Sequence, residues 1–271
     1  MAEHGLSRSR ACAALQLSRS SWYRAATGGQ GDDDVIAALN ALVGKRPRWG
    51  FWKCYDRLRL NGHAWNHKRV YRVYKMMKLN LPRRTKRRLP KRVQQPMAVE
   101  ARPNVHWSMD FMSDTLYHGR RFRTLNVLDE GVREVLDIVV DTSIPGARVV
   151  RTLDQLIEWR GKPEAIRVDN GPEYLSQVFA DWCQSNGVAL NYIQPGKPNQ
   201  NAYIERFNRT FRREVLDAYL FESLNQVREI TRHWMTEYNE ERPHDSLGRI
   251  PPAMFRRQVE NAETSTLELS A

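Results

Sequence analysis

Cysteine is scarce in this chain: Cys12, Cys54 and Cys183 are the only three in 271 residues, and they lie far apart. None forms a C-x-x-C pair or stands beside a closely spaced histidine, which argues against a disulfide framework and a Cys/His zinc site. A reducing cytoplasm is the expected setting. No apolar run approaches the roughly 18 residues of a membrane span, so no membrane partner is expected. Met1 to Gly5 hold no apolar stretch, so no secretory signal is expected. Acids are in the minority, 31 against 43 basic residues, for a net charge of +12. With 41% hydrophobic and 27% charged residues the balance is that of a globular protein, which excludes wholesale disorder. The length allows one large domain or two to three small ones.

The surplus of positive charge is confined to one half. Residues 1–104 carry 23 basic and 6 acidic side chains, whereas residues 105–271 carry 20 and 25. Between Lys45 and Arg92 there are 18 basic residues and a single acid, Asp56. Trp49, Phe51, Trp52, Tyr55, Trp65, Tyr71 and Tyr74 are interleaved with them. A one-sided density of this kind points to a polyanion, and the aromatics suit a folded nucleic-acid binder better than a tail. A solvated basic face over an aromatic core is the plainer alternative.

Ser7 to Arg24 reads as two short helices with Ser7 and Ser18 as N-caps, a weak helix-turn-helix pattern over residues 1–28. Helices are expected over Asp34–Val43, Trp49–Leu60 (stopped by Asn61-Gly62) and from the cap Asn66 to Lys78. Together they form a basic helical module, residues 32–80. Its last helix offers Lys68, Arg69 and Arg72 to a DNA groove, unless the module is simply a three-helix packing unit. Residues 81–104 read as a linker. It carries Arg83, Arg84, Lys86, Arg87, Arg88, Lys91 and Arg92, seven positive charges in ten positions that resist compaction unless phosphates neutralise them. A nuclear-localisation signal has the same composition.

From Val105 the pattern changes. Strands are expected at His106–Phe111, Thr124–Leu128, Val135–Val140, Ala165–Val168 and Val188–Ile193. Helices are expected at Arg148–Trp159, Tyr174–Asn186 (closed by Gly187), about Asn199–Tyr219, and Ser223–Asn239. Three consecutive strands followed by alternation predict an α/β fold, a mixed five-stranded sheet with flanking helices. Residues 105–220 would be this core, 221–258 a helical extension, and 259–271 a loose polar tail.

Three carboxylates stand out by position. Asp110 lies on the first strand, Asp169 at the end of the fourth before Asn170-Gly171, and Glu205 on the long helix after Pro195-Gly196-Lys197-Pro198. Strand ends of such a sheet open onto a common edge. Two hard Mg²⁺ or Mn²⁺ ions need carboxylate oxygens, and such a pair can hold the attacking and leaving oxygens of a phosphoryl displacement. On a helical wheel Ile204, Phe207, Phe211 and Val215 form a packing stripe. Glu205 lies at its margin with Asn208 and Arg212 close in angle, and Arg206, Arg209 and Arg213 face solvent. Arg212 would grip a phosphate, with Arg209 and Lys197 as further DNA contacts. On composition alone Asp114, Asp129, Asp141 and Glu173 remain rivals.

These residues carry a resemblance. Trp107-Ser108-Met109-Asp110-Phe111, Arg167-Val168-Asp169-Asn170-Gly171-Pro172-Glu173-Tyr174, Gly196 to Asn208 and Tyr238-Asn239-Glu240-Glu241-Arg242-Pro243-His244-Asp245-Ser246-Leu247-Gly248 resemble the DDE transposase/integrase superfamily, and within it OrfB-type transposases of the IS3 family of insertion sequences. The 35 residues between Asp169 and Glu205 match the spacing of the retroviral-integrase-like subgroup. The resemblance extends over about residues 35–258.

It implies an RNase H-like catalytic fold, with Asp110, Asp169 and Glu205 as ligands of two Mg²⁺ or Mn²⁺ ions and Arg212 at a position where the family carries a basic residue. It further implies 3′-end cleavage and strand transfer on double-stranded DNA, both terminal repeats and target. A homo-oligomer on paired ends, an upstream OrfA-type partner or fusion, and a place at the bacterial nucleoid follow as well. A non-catalytic DNA-binding regulator of transposition is the alternative from another class. Core packing is the plain reading of His106, Trp107 and Tyr174, and a turn-fixing role that of His244; Asn201 could bond the active-site backbone or DNA.

Overall fold

The computed structural model describes residues 7–16, 18, 31–82, 100–193 and 201–269. The chain divides into two compact units, residues 1–54 with 64–81, and residues 55–63 with 82–271. No helix of the described residues is long and apolar enough to cross a membrane.

The first unit is helical. Helix α1 (Arg8–Ala14) is capped by Ser7, whose Oγ accepts from the Arg10 N–H. The second short helix expected from Ser18 falls outside the described residues, as do Arg83, Arg84, Lys86, Arg87, Arg88 and Lys197. Helix α2 (Asp33–Lys45) opens on Asp33 and Asp34 and closes on Lys45, the charge order that suits a helix dipole. It buries Val35, Leu39 and Leu42 at helical spacing. Helix α3 covers Phe51–Leu60, of which residues 51–54 count with this unit and 55–60 with the second. Helix α4 (His67–Met76) starts where expected, with the Asn66 side chain accepting from the Lys68 N–H at 2.8 Å, and buries Val70, Val73 and Tyr74. The Phe51 ring meets Tyr71 and Tyr74 edge-on at 4.8 and 5.5 Å, so part of the aromatic set is core.

The second unit is built on one sheet of order β3-β2-β1-β4-β5. Strands β1 (His106–Thr115), β2 (Arg121–Asp129) and β3 (Val135–Asp141) form an antiparallel meander. Strands β4 (Ala165–Val168) and β5 (Ala189–Tyr192) add in parallel on the other side of β1. Helices α5 (Gly146–Arg160) and α6 (Gln177–Asn186) supply the parallel crossovers. Helix α7 (Ala202–Phe211) runs into a π-helical turn (Arg212–Leu216); α8 (Leu224–Glu240) and α9 (Pro252–Leu269) follow.

Side-chain alternation splits the core into two layers. Trp107, Met109, Leu125, Val127, Ile166 and Val168 face α5 and α6, where they meet Val149, Leu153, Phe179 and Trp182. Phe122, Leu128, Ile138 and Val140 face α7 and α8, where they meet Ile204, Phe207, Phe211, Val227 and Trp234. This is the mixed five-stranded, helix-flanked sheet that the pattern predicts.

Several bounds differ from expectation. β1 runs on to Thr115 because Met112–Thr115 pair with Arg121–Thr124 through the backbone. That ladder needs no apolar alternation, so the sequence gives no cue for it. Helix α6 starts at Gln177, since Gly171 to Tyr174 close a turn in which the Tyr174 N–H donates to the Gly171 carbonyl at 3.0 Å. Gly187 ends α6 at φ +61°, as its position predicts. The segment after Val259, expected as a loose tail, continues α9 as helix to Leu269.

Acids buried at the β2–β3 end are consumed by the fold. Glu130 pairs with Arg167 at 2.5 Å, and Glu134 with Arg160 and, at 3.0 Å, Arg256. Asp129 accepts the N–H groups of Asn104 (2.7 Å) and Gly131 (2.9 Å). A Cβ on Gly131 would stand 2.0 Å from the Arg102 carbonyl oxygen. Gly131→Ala is therefore expected to cost about 1–3 kcal/mol or more and to lower Tm by several degrees in thermal denaturation. Gly44→Ala, in helix α2 with nothing within 4 Å, should instead stabilise by about 0.5–1 kcal/mol.

Candidate active site

The register of the sheet brings two of the three carboxylates level. β1 pairs with β4 as His106↔Ala165, Trp107↔Ile166 and Ser108↔Arg167. Two residues further along each chain lie Asp110 and Asp169. Asp110 shares the alternation of Ser108, so it faces α7 rather than the α5–α6 layer. Asp169 follows the last residue of β4 and is exposed at the strand's carboxyl end. Its Oδ1 accepts from the Gly171 N–H at 2.9 Å, and the Asn170 amide donates to the Ile193 carbonyl at 3.2 Å. A Cβ on Gly171 would sit 2.9 Å from that same Oδ1, so glycine is what lets the turn fold against the carboxylate.

Glu205 arrives on the first turn of α7. Ile204, Phe207 and Phe211 are buried as the packing stripe, and Glu205, Arg206, Arg209 and Arg213 are exposed. One turn beyond Glu205, the buried Asn208 sets the helix against the sheet. Its Nδ2 donates to Asp110 Oδ2 at 2.7 Å, and its Oδ1 accepts from Asn126 Nδ2 at 2.6 Å. Asn126 lies directly across the β1–β2 ladder from Asp110. Two amides thus tie catalytic-helix candidate, strand and carboxylate together. The sequence held a signal for this role: Asn126 is a lone amide in the apolar run Leu125–Leu128, and such a group is buried only with a partner.

The charges of the other two acids are felt at Asp110. Burial pushes the Asp110 carboxyl up to about 6; the Phe111 N–H and Asn208 oppose the rise, and the charges of Asp169 and Glu205 add to it. The Tyr174 hydroxyl is driven well above its usual range by burial, then by the charges of Asp110, Asp169 and Glu173, with Arg123 opposing. Tyr174 packs on Phe111 at 5.2 Å, so its ring is core, as expected, at the border of the site. Among the described residues, no group of three or more His, Cys, Asp or Glu side chains is closed tightly enough to hold a metal ion. The donor set itself is all hard oxygen, the chemistry that Mg²⁺ and Mn²⁺ take.

The rival acids are engaged elsewhere. Asp114 takes Arg212, Asp141 lies 3.8 Å from Arg228, Glu173 pairs with Arg123, and Asp129 caps backbone. Arg123 also lies over the Phe111 ring at 4.3 Å. Arg212 is not turned to an open phosphate site. Its guanidinium donates to the Ser113 carbonyl at 2.8 Å and meets Asp114 at 3.3 Å, since it lies one turn beyond Asn208 on the face that looks onto β1. In the helical unit Lys68 is exposed, whereas Arg69 and Arg72 both grip Asp32, at 3.2 and 2.8 Å.

Comparison with known proteins shows the family and the fold. Two models described as integrase core domain match residues 100–198 and 186–252, and an HTH-like domain model matches residues 31–87. An uncharacterised 39.2 kDa protein of insertion element IS476 from Xanthomonas euvesicatoria is 43% identical, over 94% of this chain and 74% of its own. An uncharacterised 31.7 kDa protein of insertion element IS407 from Burkholderia multivorans is 40% identical, over 92% and 90%. The transposase InsD of IS2 elements in Escherichia coli is 25% identical, over 84% and 79%. Among solved structures, a simian T-cell lymphotropic virus intasome chain superposes with a TM-score of 0.52 at 16% identity, over 81% of this chain and 73% of its own, a likeness of fold.

The hydrogen-bond chain gives a titration test in the metal-free protein. Asp110 should titrate near pH 6 by carboxyl-carbon NMR. Asn208→Ala removes a donor that favours the carboxylate and should raise that midpoint. Glu205→Gln removes a like charge and should lower it.

Proposed function

Because the chain belongs to the IS3-type insertion-element transposases, enzymes built on an RNase H-like integrase core, we propose that it cleaves the 3′ ends of its insertion sequence and transfers them to a target strand, with Asp110, Asp169 and Glu205 as the catalytic carboxylates. The observation that carries this reading is geometric: the β1–β4 register runs on to set Asp110 level with Asp169, and Asn208, one turn after Glu205 on α7, donates to Asp110. Carboxylates drawn together would favour a proton or a cation between them, and hard oxygens favour Mg²⁺ or Mn²⁺. Asp110, Asp169 and Glu205 would hold the metal as a pair of ions. When bound, the metal would supply Lewis-acid stabilisation and lower the pKa of a nucleophilic water.

The chain's own residues do the positioning. Asn126 and Asn208 fix the rotamer of Asp110, and the Asn170-Gly171 turn fixes Asp169. Glu205 is set by the seat of α7 on β1 and β2. The exposed Arg206, Arg209 and Arg213 present a cationic face for the DNA backbone. Arg212 reaches DNA only by leaving Asp114 and Ser113. The basic helical unit would read the terminal repeats, with Lys68 and Arg72 both exposed and Arg69 and Arg72 braced by Asp32. The basic segment of residues 83–92 would follow the phosphates. A homo-oligomer on paired ends, an OrfA-type partner, and work at the nucleoid in the bacterial cytoplasm complete the proposal.

Asp110→Asn, Asp169→Asn and Glu205→Gln should each abolish cleavage and joining of labelled terminal-repeat DNA in Mg²⁺, while end binding stays nearly intact. Full strand transfer by any one of them would defeat the assignment. Unchanged behaviour with and without divalent metal would favour a non-catalytic regulator. In a salt titration of end binding, log K should fall by about 0.9 per neutralised phosphate for each unit of log salt. A flat response would contradict DNA recognition by the basic half.

A further inference from the structure

The string from Tyr238 to His244 lies some thirty residues after Glu205, contributes none of the three carboxylates, and has no part in the proposed reaction. Its contacts give it one. After Phe211 the catalytic helix stops being regular: Arg212–Leu216 form a π turn, a widened stretch in which the usual i→i−4 ladder is lost. Glu214 lies inside that turn. Its two carboxylate oxygens accept from Arg242 Nη1 at 2.6 and 2.5 Å, and Oε2 also accepts from the Trp234 indole N–H at 3.1 Å. The ion pair is largely withdrawn from water, with side-chain exposures of 9% for Arg242 and 13% for Glu214.

The neighbours of Arg242 continue the grip. The Tyr238 ring stands edge-on at 5.2 Å to Phe207, a residue that lies between Glu205 and Asn208 in the chain, and the Arg242 guanidinium lies 5.8 Å over the Tyr238 ring. His244 meets the same ring edge-on at 4.9 Å. Trp234 covers Phe207 and Phe211 at 5.8 and 5.2 Å. Asn239 turns the other way. Its side chain accepts from the Val135 N–H at 3.0 Å and donates to the Val135 carbonyl at 2.8 Å, so it is pinned to the first residue of β3 like an added strand residue.

We propose that Tyr238, Asn239 and Arg242 form a positioning clamp, which borrows the rigidity of β3 to hold the catalytic helix at Phe207 and the π turn beyond it at Glu214, and so fixes the axial and rotational setting of Glu205. Asp110 and Asp169 need no such device, because the β1–β4 ladder holds them. Glu205 is different: it projects from a helix margin, and every residue of slip or turn in α7 moves it relative to the sheet. Asn208 on Asp110 sets the face of the helix turned to the sheet, and the clamp sets Phe207 beside it and Glu214 in the turn that follows. Arg242 and Glu214 are positioning residues and touch no reacting group. The effect of the clamp on catalysis rests on the proposed role of Glu205 as a catalytic ligand; its mechanical part stands without that role.

The test uses the full chain with Arg242→Gln, which removes the charge, and Arg242→Lys, which keeps it but loses the planar guanidinium over the Tyr238 ring. In metal-free protein, amide hydrogen exchange in peptides covering residues 202–216 should rise by at least about tenfold in Arg242→Gln, while peptides covering β1 and β2 keep their protection. In joining assays with labelled terminal-repeat DNA, the half-saturating Mg²⁺ concentration should rise about tenfold in Arg242→Gln and less in Arg242→Lys, with end binding unchanged. Uniform loss of protection across the sheet, or none in α7, overturns the clamp. A fall in maximal joining with no shift of the Mg²⁺ midpoint overturns it too, since that is a loss of folded protein alone. Should Arg242→Gln fail to fold, Arg242→Lys carries both readouts. If the wild-type chain joins no ends, the proposed reaction fails and the exchange experiment alone decides the clamp.

Discussion

The hydrogen bond from Asn208 Nδ2 to Asp110 Oδ2 is the contact on which the rest of the site depends. It crosses from the helix to the central strand at a point where both partners are largely withdrawn from water. An amide there can donate to the carboxylate only if α7 lies at one height and one rotation over β1. Asn126, across the ladder, fills the remaining acceptor of Asn208 and leaves it no alternative orientation. The same bond offsets part of the cost of burying Asp110 beside two further acids. A half-buried carboxylate with two like charges nearby is a poor choice for stability, and that cost is in keeping with the catalytic role proposed for Asp110.

The other acids of the unit show what structural use looks like by contrast. Glu130 and Glu134 sit deep in the protein, but each faces one or two guanidiniums. Asp129 accepts backbone N–H groups in a tight turn whose Gly131 leaves room for nothing larger than hydrogen, although burial still pushes its carboxyl up to about 6. Asp110 alone among these has an amide and its own backbone as hydrogen-bond partners and carboxylates as electrostatic neighbours. The negative balance of the second half of the chain is thus divided between internal ion pairs and one cluster left for chemistry.

The basic half is divided in a similar way. Arg69 and Arg72 lie on the helix that charge density marks as a groove reader, yet both are bound by Asp32 at the start of the neighbouring helix. Arg212, close in angle to Glu205 on an ideal wheel, is held on β1 by the Ser113 carbonyl and Asp114. Charge density identifies a region that meets a polyanion. It does not say which guanidiniums are spent inside the protein, since that depends on where the few acids of the same unit fold to.

Much of the architecture follows from the sequence alone, because it is set by short-range rules. Alternation in Trp107–Phe111, the cap at Asn66, the glycine closing α6 and the stripe Ile204, Phe207, Phe211 are each decided within a turn or a pleat, and each stands where its pattern puts it. The three carboxylates, too, were legible as residues with distinctive positions on strand ends and a helix margin. What the sequence could not supply was anything that needs two distant segments to meet. The extension of β1 to Thr115 rests on a backbone ladder that is blind to side chains, and the π turn on an anchor made by residues far along the chain. The amide pair Asn126–Asn208 and the level register of Asp110 with Asp169 exist only once the sheet and helix have packed. Hydrogen bonds and charge coupling fall off within a few ångströms, so they belong to the tertiary fold and to nothing shorter.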